Sequence, residues 1–178
     1  DDRRNCLLIR LGGEPDEARM ASLRAALKNA LQVEYQLEEQ ELAAEPLPCS
    51  AEPRLLLFYE AAEGGAGVLR RVLDDEGAIA RLARRALEIC HFEPSTGQDR
   101  RRHHRAKEDC EAACYDCLMS YMNQQDHEVL DRMGIRDILM QLARARVEAS
   151  PGPAPRAAHL AALLRQCQSG LEREWLQF

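Results

Sequence analysis

Three thiols stand within eight positions of one another in CEAACYDCLMSYMNQQDHEVLDR, residues 110–132: Cys110, Cys114 and Cys117. Thiolates two or three residues apart can close on one metal ion from a single turn of chain, and zinc wants four such donors in a tetrahedron. An earlier cysteine, Cys90, completes the spacing C-x19-C-x3-C-x2-C. Four cysteines leave no open coordination position, and a closed site holds structure together rather than doing chemistry. The expected metal ligands are therefore Cys90, Cys110, Cys114 and Cys117, around one structural Zn2+, with His91 and His127 as substitutes for Cys90. An iron–sulfur cluster is the alternative occupant, because four thiolates suit it equally well.

Other thiol chemistries fit less well. Cys114 and Cys117 form a C-x-x-C, but a redox motif of that kind follows a strand and opens a helix, and no strand pattern precedes it here. The C-x3-C-x2-C triplet also matches the cluster loop of radical S-adenosylmethionine enzymes, whose barrel needs more strands and more chain than this sequence offers. Cys6, Cys49 and Cys167 are isolated and read as core or surface thiols. Seven cysteines, an odd number with three clustered, point to a reducing, cytoplasmic setting rather than a disulfide scaffold.

Charge gives a second candidate. The formal net charge of −6 excludes a global pull toward nucleic acid. A local patch exists in Arg100-Arg101-Arg102-His103-His104-Arg105-Ala106-Lys107, where Arg100, Arg101, Arg102, Arg105 and Lys107 are the expected phosphate contacts. The plainer reading of such a run is a solvated loop. Glu63-Gly64-Gly65-Ala66-Gly67 invites a phosphate-loop reading, but it lacks the Lys-Ser/Thr pair and the G-x-G-x-x-G spacing. A tight strand-to-helix turn with positive φ accounts for it, with Glu60 and Glu63 as surface acids. Asp126 reads as the cap of the next short helix and His127 as a structural histidine.

The elements that must carry these residues can be read from periodicity. Cys6 to Leu11 suits a buried strand closed by Gly12-Gly13, and Glu14, Pro15 and Asp16 a helix entry. Met20, Leu23, Leu27, Ala30 and Leu31 mark one face of a helix running to about Tyr35. A strand follows a break within Gln36–Leu47, then a loop around Cys49. The near-continuous apolar run from Arg54 to Glu60 predicts a strand covered on both faces. Helices are expected from Val68, from Ala78 to Cys90, through Ile135, Ile138, Leu139, Leu142 and Val147, and from Arg156 onward. Hydrophobic residues at 46%, charged residues at 30% and no apolar stretch of membrane-spanning length describe a globular chain with no membrane contact. The fold expected is α+β: a small sheet covered by several helices, with a four-cysteine zinc-binding helical segment.

FYEAAEGGAGVLRR, then a cysteine, then CEAACYDCLMSYMNQQDHEVLDR, resembles the zinc-binding domain at the C-terminus of certain DEAD/DEAH-box helicases. That domain is described for MrfA-type DNA-repair helicases and for the DrmB component of the DISARM phage-defence system. The resemblance runs from about Leu7 to Leu142. It implies that Cys90, Cys110, Cys114 and Cys117 hold one zinc, and that the domain serves a helicase motor in cis or on a partner subunit. DNA, single-stranded or forked, is the implied substrate of that assembly. The chain itself carries no Walker A motif and no DEAD/DEAH box, so it is expected to be non-catalytic.

With no initiator Met, the sequence reads as cut from a longer protein. The expected organisation is a zinc-binding domain over residues 1–148, a Pro-rich linker over 149–155, and a C-terminal helix over 156–178 leading toward a further region. The function expected is that of an accessory domain orienting DNA or partner domains in DNA repair or phage defence. The alternative is a protein-interaction or structural module of a multi-subunit defence complex without direct DNA contact.

Overall fold

The computed structural model describes residues 4–13, 16–61, 65, 67–148, 156–167 and 169–177. The chain divides into two compact units, Asp1–Val147 and Glu148–Phe178.

The first unit is built on a three-stranded antiparallel sheet of β1 (Cys6–Ile9), β2 (Leu42–Leu47) and β3 (Leu55–Glu60), in the order β1-β3-β2. Leu8 pairs with Leu57 on one side of β3, and Glu45 pairs with Leu57 on the other. Along β3 burial alternates: Leu56, Phe58 and Glu60 are buried, while Leu55, Leu57 and Tyr59 are half-buried. This corrects the expectation of a strand covered on both faces. Leu8, which pairs with half-buried Leu57, is itself 54% exposed, so that face is only partly covered.

Helix α1 (Glu17–Tyr35) forms as its apolar spacing predicts, with Met20, Leu23, Leu27, Ala30 and Leu31 all buried. Asp16 caps it, its carboxylate accepting from the Arg19 backbone N–H at 3.0 Å. Gln36, in the left-handed region at φ 56°, ends it. Glu14 and Pro15, part of the expected entry, lie outside the described residues. Helix α3 (Ala78–Ile89) buries Leu82, Ala83, Ala86 and Leu87 against α1. Helix α4 (Arg132–Leu142) packs on both, with Ile135 and Leu139 fully buried. Val147 lies beyond α4, its N–H donating to the Glu76 carbonyl at 2.9 Å.

The Gly-rich turn into α2 (Val68–Asp74) has a different logic from the one its sequence suggests. Gly65 and Gly67 adopt the expected positive φ, 63° and 75°. Glu60, however, is not a surface acid: it is 2% exposed. Its carboxylate accepts from the backbone N–H groups of Leu69 (2.8 Å) and Gly67 (2.9 Å) and from the Asn5 amide (3.1 Å). Burial pushes the Glu60 carboxyl up, but these donors outweigh it and hold the group below its usual range. The anion at this helix terminus is thus the chain's own side chain. A β-carbon on Gly65 would lie 2.1 Å from Glu60 Oε2, which explains the glycine. Glu63 lies outside the described residues.

The second unit consists of α5 (Arg156–Gln166) and α6 (Gly170–Gln177), which pack on each other. The single final helix expected from Arg156 is therefore two. Ser169 and Glu172 cap the start of α6 reciprocally, through N–H donors at 3.1 and 3.2 Å. Residues 149–155, the expected linker, lie outside the described residues. Among the described residues no helix is long and apolar enough to cross a membrane.

Candidate metal centre

The site begins where α3 stops. Cys90 is the last residue of the helical turn, and His91 follows at φ 64°, in the left-handed region. The Phe92 N–H donates to the Leu87 carbonyl at 2.8 Å and the His91 N–H to the Glu88 carbonyl at 3.0 Å. These two bonds are a Schellman cap, whose left-handed position usually carries glycine. Here it carries an imidazole, at a backbone cost of roughly 1–2 kcal/mol that a glycine would avoid. That strain aims the ring: His91 Nε2 lies 3.2 Å from Cys114 Sγ.

The thiols arrive from the other side. Cys110 is tied back to the loop by its N–H, which donates to the Arg101 carbonyl at 2.6 Å. The chain then turns tightly at Cys114, whose carbonyl accepts from the N–H groups of Cys117, Leu118 and Met119 at 3.0–3.2 Å. The Cys114 N–H donates to Cys117 Sγ at 3.1 Å, a bond that favours a thiolate.

The donor atoms of His91, Cys110, Cys114 and Cys117 all lie within 4.8 Å of one another. Sulfur–sulfur separations are 3.8 Å for Cys110–Cys117 and 3.5 Å for Cys114–Cys117. Zn–S bonds of ~2.3 Å and a Zn–N bond of ~2.0 Å give tetrahedron edges of about 3.8 Å between sulfurs and about 3.5 Å between sulfur and nitrogen. The donor set fits zinc in number, type and spacing.

The fourth place is where spacing and geometry part. Cys90 Sγ is not in this group of four; His91, its neighbour and named substitute, is. The Cys90 thiol is fully buried, and its carbonyl accepts from Arg132 Nη1 at 3.3 Å. Burial pushes its pKa up to about 12. Burial likewise raises Cys110 and Cys117, while burial and the Arg132 guanidinium together hold His91 below its usual range, as a neutral ring able to ligate. His127 is not part of the group. Its Nε2 sits 3.0 Å from the Ser120 carbonyl and 3.1 Å from Asn123 Oδ1, as a structural histidine would.

Two sets of contacts fix the site to the fold, and neither was read from the sequence. Arg132, 2% exposed, donates from Nε and Nη2 to the Cys110 carbonyl at 3.1 and 2.6 Å. It forks onto Asp99 at 2.7 and 2.9 Å, and its guanidinium lies 5.1 Å from the Phe92 ring centre. From α1, Asn29 Nδ2 donates to the Cys117 carbonyl at 2.7 Å, and Arg24 pairs with Asp126 at 2.5 Å. Asp126 therefore braces α1 instead of capping a helix. The cap of α4 is Asp131, whose own N–H donates to Ser22 Oγ at 2.8 Å.

A family model described as the MrfA Zn-binding domain matches residues 23–118, more than half of the chain. The chain belongs to this family. No curated protein and no solved structure matches it. The match runs from α1 to just past Cys117 and so takes in all four donors of the group, and Cys90 as well. As a MrfA Zn-binding domain, the chain is an accessory zinc-binding unit.

The basic run lies beside this MrfA Zn-binding domain's metal group, with Arg102, His103 and Lys107 sharing a cavity of about 390 Å³ with Cys110 and Cys114. Its charge is largely spoken for. Arg100 pairs with Glu93, and Arg101 and Arg102 pair with Asp109. Arg105 and Lys107 have no ion-pair partner among the described residues. Tyr115, within the cysteine turn, and Tyr121 and Met122, just after it in the chain, are each at least 67% exposed.

Proposed function

We propose that this domain is the zinc-clamped accessory module of an ATP-dependent, helicase-like DNA-processing protein acting in DNA repair or phage defence, in the cytoplasm. The motor lies elsewhere in the parent chain or on a partner subunit. The domain binds one Zn2+ through Cys110, Cys114, Cys117 and His91, and thereby holds DNA or partner domains in a fixed orientation. The observation that carries this reading is the closed group of three thiols and one imidazole, in a chain of the MrfA Zn-binding family. With four protein donors no position is left for substrate, so the ion braces and does not catalyse.

Metal analysis of the purified chain tests the centre. About one equivalent of zinc supports it; an iron–sulfur cluster would show as iron, sulfide and visible absorption, and neither metal would end the proposal. Cobalt substitution reads the ligands. Loss of the tetrahedral spectrum in His91→Ala, with retention in Cys90→Ala, is expected; the reverse returns the fourth place to Cys90. For the wider role, Cys114→Ser in the parent assembly is expected to leave ATP hydrolysis and impair strand separation. Equal unwinding would reject it.

A specific observation favours the second reading, a protein-interaction module without DNA contact. Arg100, Arg101 and Arg102 are paired internally, while exposed Tyr115, Tyr121 and Met122 offer an apolar contact surface. Salt-dependent DNA binding by the zinc-loaded chain separates the two.

A further inference from the structure

A separate cavity in the first unit is lined by none of the metal-donor residues. It measures about 760 Å³ and is lined by Arg10, Arg19 and Arg54, with Leu11, Met20 and Ile138. The arginines come from three places: the end of β1, the first turn of α1 and the lead-in to β3. All three are exposed, and none has a side-chain partner among the described residues. Elsewhere Arg24, Arg70, Arg81, Arg85, Arg100 and Arg132 all meet acids. The acid in the cavity wall, Asp16, is engaged in capping α1. In a molecule of net charge −6, three uncommitted guanidiniums therefore converge on one opening.

We propose that this cleft binds the phosphodiester backbone of single-stranded nucleic acid. Guanidinium forks match phosphate oxygens in pairs. A space of this volume accommodates a nucleotide unit. Leu11 and Ile138, both half-buried, give the wall an apolar surface for a base. Charge complementarity thus favours this cleft over the basic run, whose arginines are mostly neutralised by Glu93 and Asp109. The inference rests on the DNA-contact arm of the proposed function and gives that contact a different address.

Fluorescence anisotropy of a labelled oligo-dT, titrated with the zinc-loaded full chain across a salt series, tests it. The triple variant Arg10→Gln, Arg19→Gln, Arg54→Gln removes only exposed side chains, and zinc content and circular dichroism check its fold. Affinity should fall at least about tenfold, and the log–log salt slope should flatten by about 2, since single-stranded contacts contribute roughly 0.7 each. Unchanged affinity and slope would overturn the cleft. If Arg105→Gln, Lys107→Gln alone abolishes binding, the cleft falls and the DNA-contact reading survives. If the wild-type chain binds no oligo-dT, both fall, and zinc occupancy alone remains of the proposed function. Equal competition by poly-glutamate of matched length would overturn the assignment to nucleic acid in favour of an acidic peptide.

Discussion

Replacing Arg132 by Met probes the brace behind the metal centre while keeping most of the apolar stem. The guanidinium satisfies the Cys110 carbonyl twice and the Cys90 carbonyl once. Both residues are buried, so neither carbonyl regains a partner from water. Each orphaned acceptor costs about 1–3 kcal/mol, giving roughly 2–6 kcal/mol for the two together. Asp99, 29% exposed at its side chain, turns to water and adds little. A loss of that size is a large part of the roughly 5–15 kcal/mol that holds a domain folded. Urea denaturation at fixed zinc concentration measures it, and zinc transfer to a chromogenic chelator measures the loosening of the centre. Arg132→Lys keeps the charge without the planar fork and should recover only part of the loss. A destabilisation below about 1 kcal/mol, with unchanged zinc transfer, would refute the brace, since orphaned buried carbonyls cannot be that cheap.

Glu60→Gln should cost about 1–2 kcal/mol through the weakened helix cap. It should also flatten the acid side of the stability profile. The depressed Glu60 carboxyl contributes fully above its unfolded value near about 4.3, and the contribution disappears as pH falls through the lower folded value. Urea midpoints taken across that range decide it, and parallel profiles for the two proteins would count against the cap. Gly65→Ala places a β-carbon against Glu60 Oε2 at φ 63° and should lower the melting temperature by the equivalent of about 2 kcal/mol or more; an unshifted melt would contradict the close approach. Stripping the metal with a strong chelator should remove hydrogen-exchange protection across residues 90–131 before α1 and the sheet lose theirs. Simultaneous loss would mean that the ion holds the whole unit and not one segment.

The parts of the fold that came through in the sequence are those whose cause is local. The 3.6-residue recurrence of Met20, Leu23, Leu27, Ala30 and Leu31 is enough to set the inner face of α1. Leu55-Leu56-Leu57-Phe58-Tyr59 is apolar at every position, so it says strand but not which face is covered. The covered face is decided by where the helices pack. The cysteine turn was legible because three thiols in eight positions have few other uses. Which of the neighbours Cys90 and His91 lies in the close group with those thiols was not, because spacing cannot resolve one residue. What separates them is the left-handed turn at His91, a feature of the α3 cap. Arg132 acts on a carbonyl 22 positions away, and Glu60 on amides nine positions ahead through a loop. An acid ending a strand before a Gly-rich turn was the one available signal for the second. Charges in the basic run could be counted from sequence, but their partners Glu93 and Asp109 could not.

What a metal would add to this fold follows from how little core the segment between α3 and α4 possesses. Over residues 90–131 the regular structure is one 3-10 turn, Tyr121–Asp126, and the isolated Phe92–Asp99 bridge. The buried hydrophobic residues there are Cys90, Phe92, Cys110, Cys117, Leu118 and Leu130, and half of them are cysteines. Fixing each backbone residue costs about 1–2 kcal/mol, far beyond what so few apolar side chains return. Coordination to zinc, worth roughly 10–16 kcal/mol in small structural sites, would fill that gap in the way a larger core otherwise would. The position of the result is then set by α1, since Asn29 and Arg24 fasten the cysteine turn to the longest helix of the unit. A segment held this way can present a long irregular surface in one orientation. An apolar core of ordinary size could not support such a surface without burying it.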